Sequence, residues 1–226
     1  MQNRNKLLLA GGAAVIAAAG IGIGFASFNA TTGSTGNSVS AGTIVLSQTN
    51  PTGTTCISTS GPTDTNTSSN CDAYAGFNIA KPGDSDSANF TLKNTGSLNA
   101  GTFRVFANGC TPGNTASASY SGGGNLCSQL QMTITEFTDS SFTAAKACVY
   151  GNAGANNGCA FDSGHTVATF ASATGGTSGQ KGVDIANGLT AGANRYFKVN
   201  LSLPSSTDNS FQGRSAAFDL NWFIQQ

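Results

Sequence analysis

Charge is what this chain most lacks. Only 9% of its 226 residues are Asp, Glu, Lys or Arg, against about 25% in a typical soluble protein. The ten basic and ten acidic residues cancel. That excludes a broad basic surface for nucleic acid or acidic lipid, and it excludes an acidic tail. Histidine is nearly missing as well, because His165 stands alone. No His-Glu-x-x-His and no Cys-x-x-Cys occurs, and Glu136 is the only glutamate. A zinc hydrolase needs about three side-chain ligands and a general base; Asp and Cys are the donors left for such a site, and no motif marks one. No Gly-x-Ser-x-Gly elbow opens a helix, so the signature of a Ser–His–Asp hydrolase is absent too. Ser, Thr, Asn and Gly take the place of charge. Such a surface solvates well but repels its neighbours weakly. It suits assembly, and it is also common in ordinary extracellular proteins.

The first 46 residues carry an export pattern. Arg4 and Lys6 give a positive start, and residues 7–25 are uncharged and rich in Leu, Ile, Val, Ala and Gly. Gly24-Phe25-Ala26 places small residues at the two positions a signal peptidase reads. Cleavage is therefore expected between Ala26 and Ser27. A retained membrane anchor is the competing reading, since nineteen apolar residues nearly span a bilayer. The Gly and Ala content makes a stable span less favourable. Cleavage leaves 200 of the 226 residues, a size that suits one β-sandwich or barrel. The expected division is a signal helix over 1–26, a flexible segment over 27–40 and a β-domain over 41–226.

Six cysteines follow the export pattern, and in an oxidising compartment an even count reads first as disulfides. Local bridges are expected: Cys56–Cys71, Cys110–Cys127 and Cys148–Cys159. Each brackets a stretch of Gly, Ser, Thr and Asn without an apolar period. Closing such a loop is worth roughly 3 kcal/mol in the chain-entropy model.

Period-2 alternation dominates the rest. Ala41–Leu46 reads as a first strand. Phe77-Asn78-Ile79 is a short candidate, and Lys81-Pro82-Gly83-Asp84 a turn. Ala88, Phe90 and Leu92 alternate with polar residues, as do Phe103, Val105 and Ala107. Residues 111–124 read as a loop. Leu130, Met132 and Ile134 give another strand. Residues 140–148 allow a helical turn or two, and 151–158 read as a loop. Val167–Phe170 and Val183–Ile185 are short strand candidates. Phe197–Leu203 and Ala216–Ile224 alternate without a break, and the latter holds the only tryptophan, Trp222. No fixed-period repeat or second domain is visible. Many short alternating strands imply an all-β, antiparallel sandwich.

Three separated blocks carry a resemblance. The first is Ala30-Thr31-Thr32-Gly33-Ser34-Thr35-Gly36-Asn37 leading into Ala41-Gly42-Thr43-Ile44-Val45-Leu46. The second is Lys81-Pro82-Gly83-Asp84 followed by Phe90-Thr91-Leu92-Lys93-Asn94-Thr95-Gly96-Ser97-Leu98. The third runs from Leu189-Thr190-Ala191-Gly192 through Leu201-Ser202-Leu203-Pro204 and Asp208-Asn209-Ser210-Phe211-Gln212-Gly213 to the closing Gln225-Gln226. Together they resemble the TasA/camelysin family of secreted proteins. The six cysteines and their loops depart from that pattern, leaving 50–71 and 110–164 outside it. The resemblance implies a jelly-roll-like sandwich, export through a dedicated (SipW-type) signal peptidase, and assembly into fibres of a biofilm matrix. It also implies that the N-terminal segment of one subunit adds as a strand to the next.

The functional expectation follows. The chain is read as a secreted structural subunit of an extracellular or cell-surface fibre, self-assembling and open to minor fibre or anchor proteins. No cofactor or nucleic acid is expected, and a membrane only through the signal segment. The linking segment is Ser27, Phe28, Asn29, Ala30, Thr31 and Thr32, continuing to Asn37. Small side chains there would fit a shallow groove on a sheet edge. A camelysin-like metalloendopeptidase and a membrane-anchored adhesion module are the alternatives. Asn29, Asn66, Asn89 and Asn200 stand in Asn-x-Ser/Thr sequons and are candidate glycosylation sites. His165 reads as a surface loop residue, and Asp84 and Asp86 as a solvated turn more than a Ca²⁺ site.

Overall fold

The computed structural model describes residues 42–58, 77, 79, 81–114, 122–175 and 181–226. The expected signal helix, the Ala26/Ser27 junction, the linking segment, Cys71, Asn29 and Asn66 lie outside these residues. Residues Gly42–Gln226 fall in one compact unit.

Among the described residues thirteen strands follow in chain order: β1 Leu46–Thr49, β2 Thr55–Ile57, β3 Ser85–Asn94, β4 Thr102–Phe106, β5 Cys110–Asn114, β6 Gln131–Phe137, β7 Ala145–Tyr150, β8 Asn152–Ala153, β9 Cys159–Ala160, β10 Val183–Asp184, β11 Asn194–Ser202, β12 Arg214–Phe218 and β13 Asn221–Gln225. An α-helix among them, α1, spans Val167–Thr174. The large sheet runs β2-β1-β3-β11-β6-β7. A second sheet runs β10-β4-β13, and β5 pairs with β12. The pairings between these strands are antiparallel.

The β4–β13 and β5–β12 pairs are one ribbon interrupted by a bulge. Phe106 faces Asn221 and Cys110 faces Phe218, so three residues oppose two between those points. Gly109 takes φ +147° there, a conformation glycine adopts without a Cβ clash. The chain passes from β3 in the large sheet to β4 in the second, back to β6, and from β11 to β12. These crossings give a jelly-roll-like antiparallel sandwich.

The core lies between the sheets. β3 buries Ala88, Phe90 and Leu92, and β11 buries Phe197, Val199 and Leu201. Across from them, Phe103 and Val105 of β4 are 1% and 0% exposed. Phe103 meets Phe197 edge-on at 5.6 Å between centroids. Each such buried side chain contributes about 1.5–3 kcal/mol of transfer free energy.

The other alternating strands and the 81–84 turn form as expected, but the run 216–224 is not one strand: it breaks at Asp219 and Leu220, opposite the bulge at 107–109, into β12 and β13. Asp84 donates its N–H to the Lys81 carbonyl at 3.1 Å, with Gly83 at φ +92°. Several expectations are corrected. The first strand begins at Leu46. Before it residues 42–45 run on beside 95–98 without being strand: Thr95 N donates to the Val45 carbonyl, and Ser97 and Leu98 N both donate to that of Thr43. Phe77 and Ile79 belong to no strand, though both pack against the core. Residues 111–114 are strand, not loop, because β12 supplies the pairing despite Pro112 and Gly113. The Ala-rich stretch before Cys148 is β7, since the free edge of β6 outweighs helix propensity. Residues 152–153 and 159–160 close a small hairpin within the expected loop. Val167–Phe170 begins a helix: Thr166 Oγ1 accepts from Thr169 N, and Thr169 Oγ1 accepts from Thr166 N. That reciprocal cap satisfies two otherwise orphaned donors.

Candidate functional site: the edge of the last strand

The strands Arg214–Phe218 and Asn221–Gln225 differ from the rest of the core in burial. Ala216, Phe218, Leu220, Trp222 and Ile224 all pack against the core, yet each is only half-buried. On β11, by contrast, every inward side chain is buried. Among the described residues, neither β12 nor β13 pairs with a strand on its second edge. The Trp222 ring lies 4.7 Å from Phe197, 6.0 Å from Phe103 and 6.3 Å from Phe90. It is therefore the point where the two sheets meet. Its Nε1 is buried with no hydrogen-bond partner among the described residues, and so is Nδ2 of the adjacent Asn221. A buried donor without an acceptor costs about 1–3 kcal/mol. The closing strand thus combines open main-chain groups, half-covered apolar side chains and two unpartnered donors.

No protein-family model matches the chain, and no curated protein is significantly similar to it.

Two polar clusters lie elsewhere. Glu136 is 2% exposed and receives Arg195 Nε at 2.7 Å and Nη2 at 2.5 Å, with Lys146 Nζ at 2.9 Å. Arg195 Nη1 also donates to the carbonyls of Ala186 and Gly188, and its guanidinium lies over the Phe103 and Phe197 rings. Every charge in this group is paired, which is how such groups are tolerated in a core. The sequence marked Glu136 only by its rarity.

The second cluster is Asp162, His165 and Tyr150. His165 Nδ1 lies 2.7 Å from Asp162 Oδ2, and the Tyr150 ring meets His165 edge-on at 5.1 Å. Partial desolvation pushes the Asp162 carboxyl up, but hydrogen bonds from His165 and Gly164 outweigh it and hold it below the ordinary range. Burial pushes the Tyr150 phenol up, against an opposing bond to Thr169. Tyr150 bonds Thr169 and the Thr166 carbonyl, so the cluster ties β7 to the start of α1.

The remaining candidates are scattered. Disulfides join Cys110–Cys127 and Cys148–Cys159, the mark of an oxidising compartment. Cys56 is disulfide-bonded as well, and its expected partner Cys71 lies outside the described residues. Asp84 Oδ2 accepts from Lys81 N, and Asp86 Oδ1 from Ser87 N. Among the described residues no three His, Cys, Asp or Glu side chains gather as a metal site, and no helix is long and apolar enough to cross a membrane. Asn89 and Asn200 lie on the outer face of the large sheet, opposite in pleat to Phe90 and Leu201. The Asn200 amide donates to Thr133 Oγ1 at 2.9 Å.

Proposed function

We propose that this protein is a secreted structural subunit that assembles head-to-tail into an extracellular fibre of the TasA type. The incoming element is the N-terminal segment Ser27–Asn37 of a second copy, and the receiving element is the second edge of β12 and β13. The observation that carries the reading is the half-covered last strand, with an edge that has no partner among the described residues and with Trp222 Nε1 and Asn221 Nδ2 unpartnered there. An added strand supplies main-chain partners along such an edge and carbonyls for stray donors. Ser27–Asn37 is small and polar apart from Phe28, so it can lie close to an edge and place one ring against an apolar strip. The near absence of charge supports the same reading, because neighbouring subunits then repel one another little. The export pattern and the paired cysteines fit a life outside the cell.

The test is a deletion of Ser27–Asn37 in the mature chain. The expected product is a folded, soluble monomer that no longer forms filaments in negative-stain micrographs. Filaments of unchanged number and width would overturn the proposal.

A further inference from the structure

The outer face of the large sheet carries a second feature, on the side of the molecule that the fibre reading does not use. Outward residues Thr133 and Thr135 of β6 are nonetheless buried, 1% and 4% exposed. The β8–β9 hairpin lies over them: Cys159 N donates to Thr135 Oγ1 at 3.3 Å, and the Cys148–Cys159 bridge staples the hairpin to β7. The residue that follows, Phe161, is 37% exposed, one of two large apolar side chains so exposed among the described residues. It stands over a recess of about 230 Å³ that opens to solvent and is lined by Ser85, Asp86, Ser87, Phe161 and Asn200.

We propose that this recess binds one ring of a neutral polysaccharide. Its chemistry selects that class. Among the described residues no Lys or Arg lines it, so a phosphate or sulfate finds no cationic partner among them. Asp86 is the single carboxylate among them, where Ca²⁺ takes six or more oxygens. One aromatic ring amid hydroxyl and amide groups is too polar for a lipid or other wholly apolar ligand. A pyranose offers a C–H face for Phe161, and hydroxyls that both donate and accept. Ser85 and Ser87 present hydroxyls of the same dual kind. The Asn200 amide donates one N–H to Thr133 Oγ1, which holds the side chain in place, and Asn200 Oδ1 is the group that accepts from a sugar hydroxyl. The same bond, on a central strand of the ladder, argues for Asn200 as a binding group and against it as a glycan attachment point. Because the recess is open, a chain can lie across it with both ends free. The site does not depend on how subunits assemble.

The experiment is an NMR titration of the mature protein, made in a host that does not N-glycosylate, with β-1,4-linked tetramers of glucose and of N-acetylglucosamine. Amide shifts confined to residues 85–87, 161 and 200 with at least one probe are expected. Phe161→Ala should weaken that binding about tenfold, in line with loss of an aromatic contact. Ile57→Ala, at the other exposed apolar side chain, should leave it unchanged. No shift with either tetramer at millimolar concentration, shifts centred elsewhere, or wild-type binding by Phe161→Ala would each overturn the proposal.

Discussion

The two sheets of this sandwich are finished to different degrees. The large sheet is sealed on both faces at β6: Met132, Ile134 and Glu136 are buried inward, and Thr133 and Thr135 are buried outward under a disulfide-stapled hairpin. Its one buried carboxylate is fully paired. The second sheet ends on a strand whose inward side chains are all half-exposed and whose outer edge has no described partner. The contrast teaches where spare interaction capacity lies. A strand buried on both sides has no main-chain group left to offer, whereas an edge strand with an apolar inner face has a row of them.

The sharpest way to break this comparison is to mutate one residue on each side. Glu136→Ala leaves the Arg195 charge buried without its partner, and removing one member of such a pair costs about 3–5 kcal/mol. Chemical denaturation of the monomer should show that loss. Trp222→Ala should cost the monomer less, because the ring is only half-buried, yet it should abolish filaments. Equal losses in the monomer would mean that the two sheets are equally complete.

The hairpin provides the next test. Replacing Cys148 and Cys159 by serine opens an 11-residue span and should lower stability by about 3 kcal/mol in the chain-entropy model. The loss should appear in the large sheet: amide exchange at Thr133 and Thr135 should accelerate while β13 is unchanged.

Acid provides the smallest effect. The carboxyls of Asp139 and Asp208 are held low by hydroxyl and N–H donation from Ser141 and Ser210, as Asp162 is by His165 and Gly164. A carboxyl with a depressed folded pKa contributes stability above its unfolded value, about 3.9, and loses it as pH falls through the folded value. The Tm should therefore decline gently below about pH 4. Tyr150 works in the opposite sense, since its raised phenol pKa loses stability as pH climbs past about 10.

How far the sequence foretold this depends on how local each feature is. β3 and β11 were legible because one face meets the core and the other meets polar partners, which writes alternation directly into the chain. α1 was legible too, had the Val167, Phe170, Ala171 spacing and the Thr166–Thr169 cap been weighed over the β-branched residues. β5 and β7 were not, because Pro112-Gly113 and Ala144-Ala145 carry loop and helix propensities that only pairing with β12 and β6 overrides. The disulfides Cys110–Cys127 and Cys148–Cys159 followed from proximity in sequence. The edge itself was half legible: the last strand and its tryptophan stood out, but which of its edges is paired is a property of distant residues. Arg195 and Phe161 left no signal, since burial of a charge and exposure of a ring are decided by the fold alone.

If the outer edge of β12 and β13 receives another subunit, as proposed, its amides must change on assembly. Amide hydrogen exchange of the mature protein, compared between monomer and filament, reads that change. β3, β6 and β11 should be protected in both states. Part of residues 214–225 should exchange fast in the monomer and become protected on assembly. Protection of those amides already in the monomer, or fast exchange persisting in the filament, would contradict it.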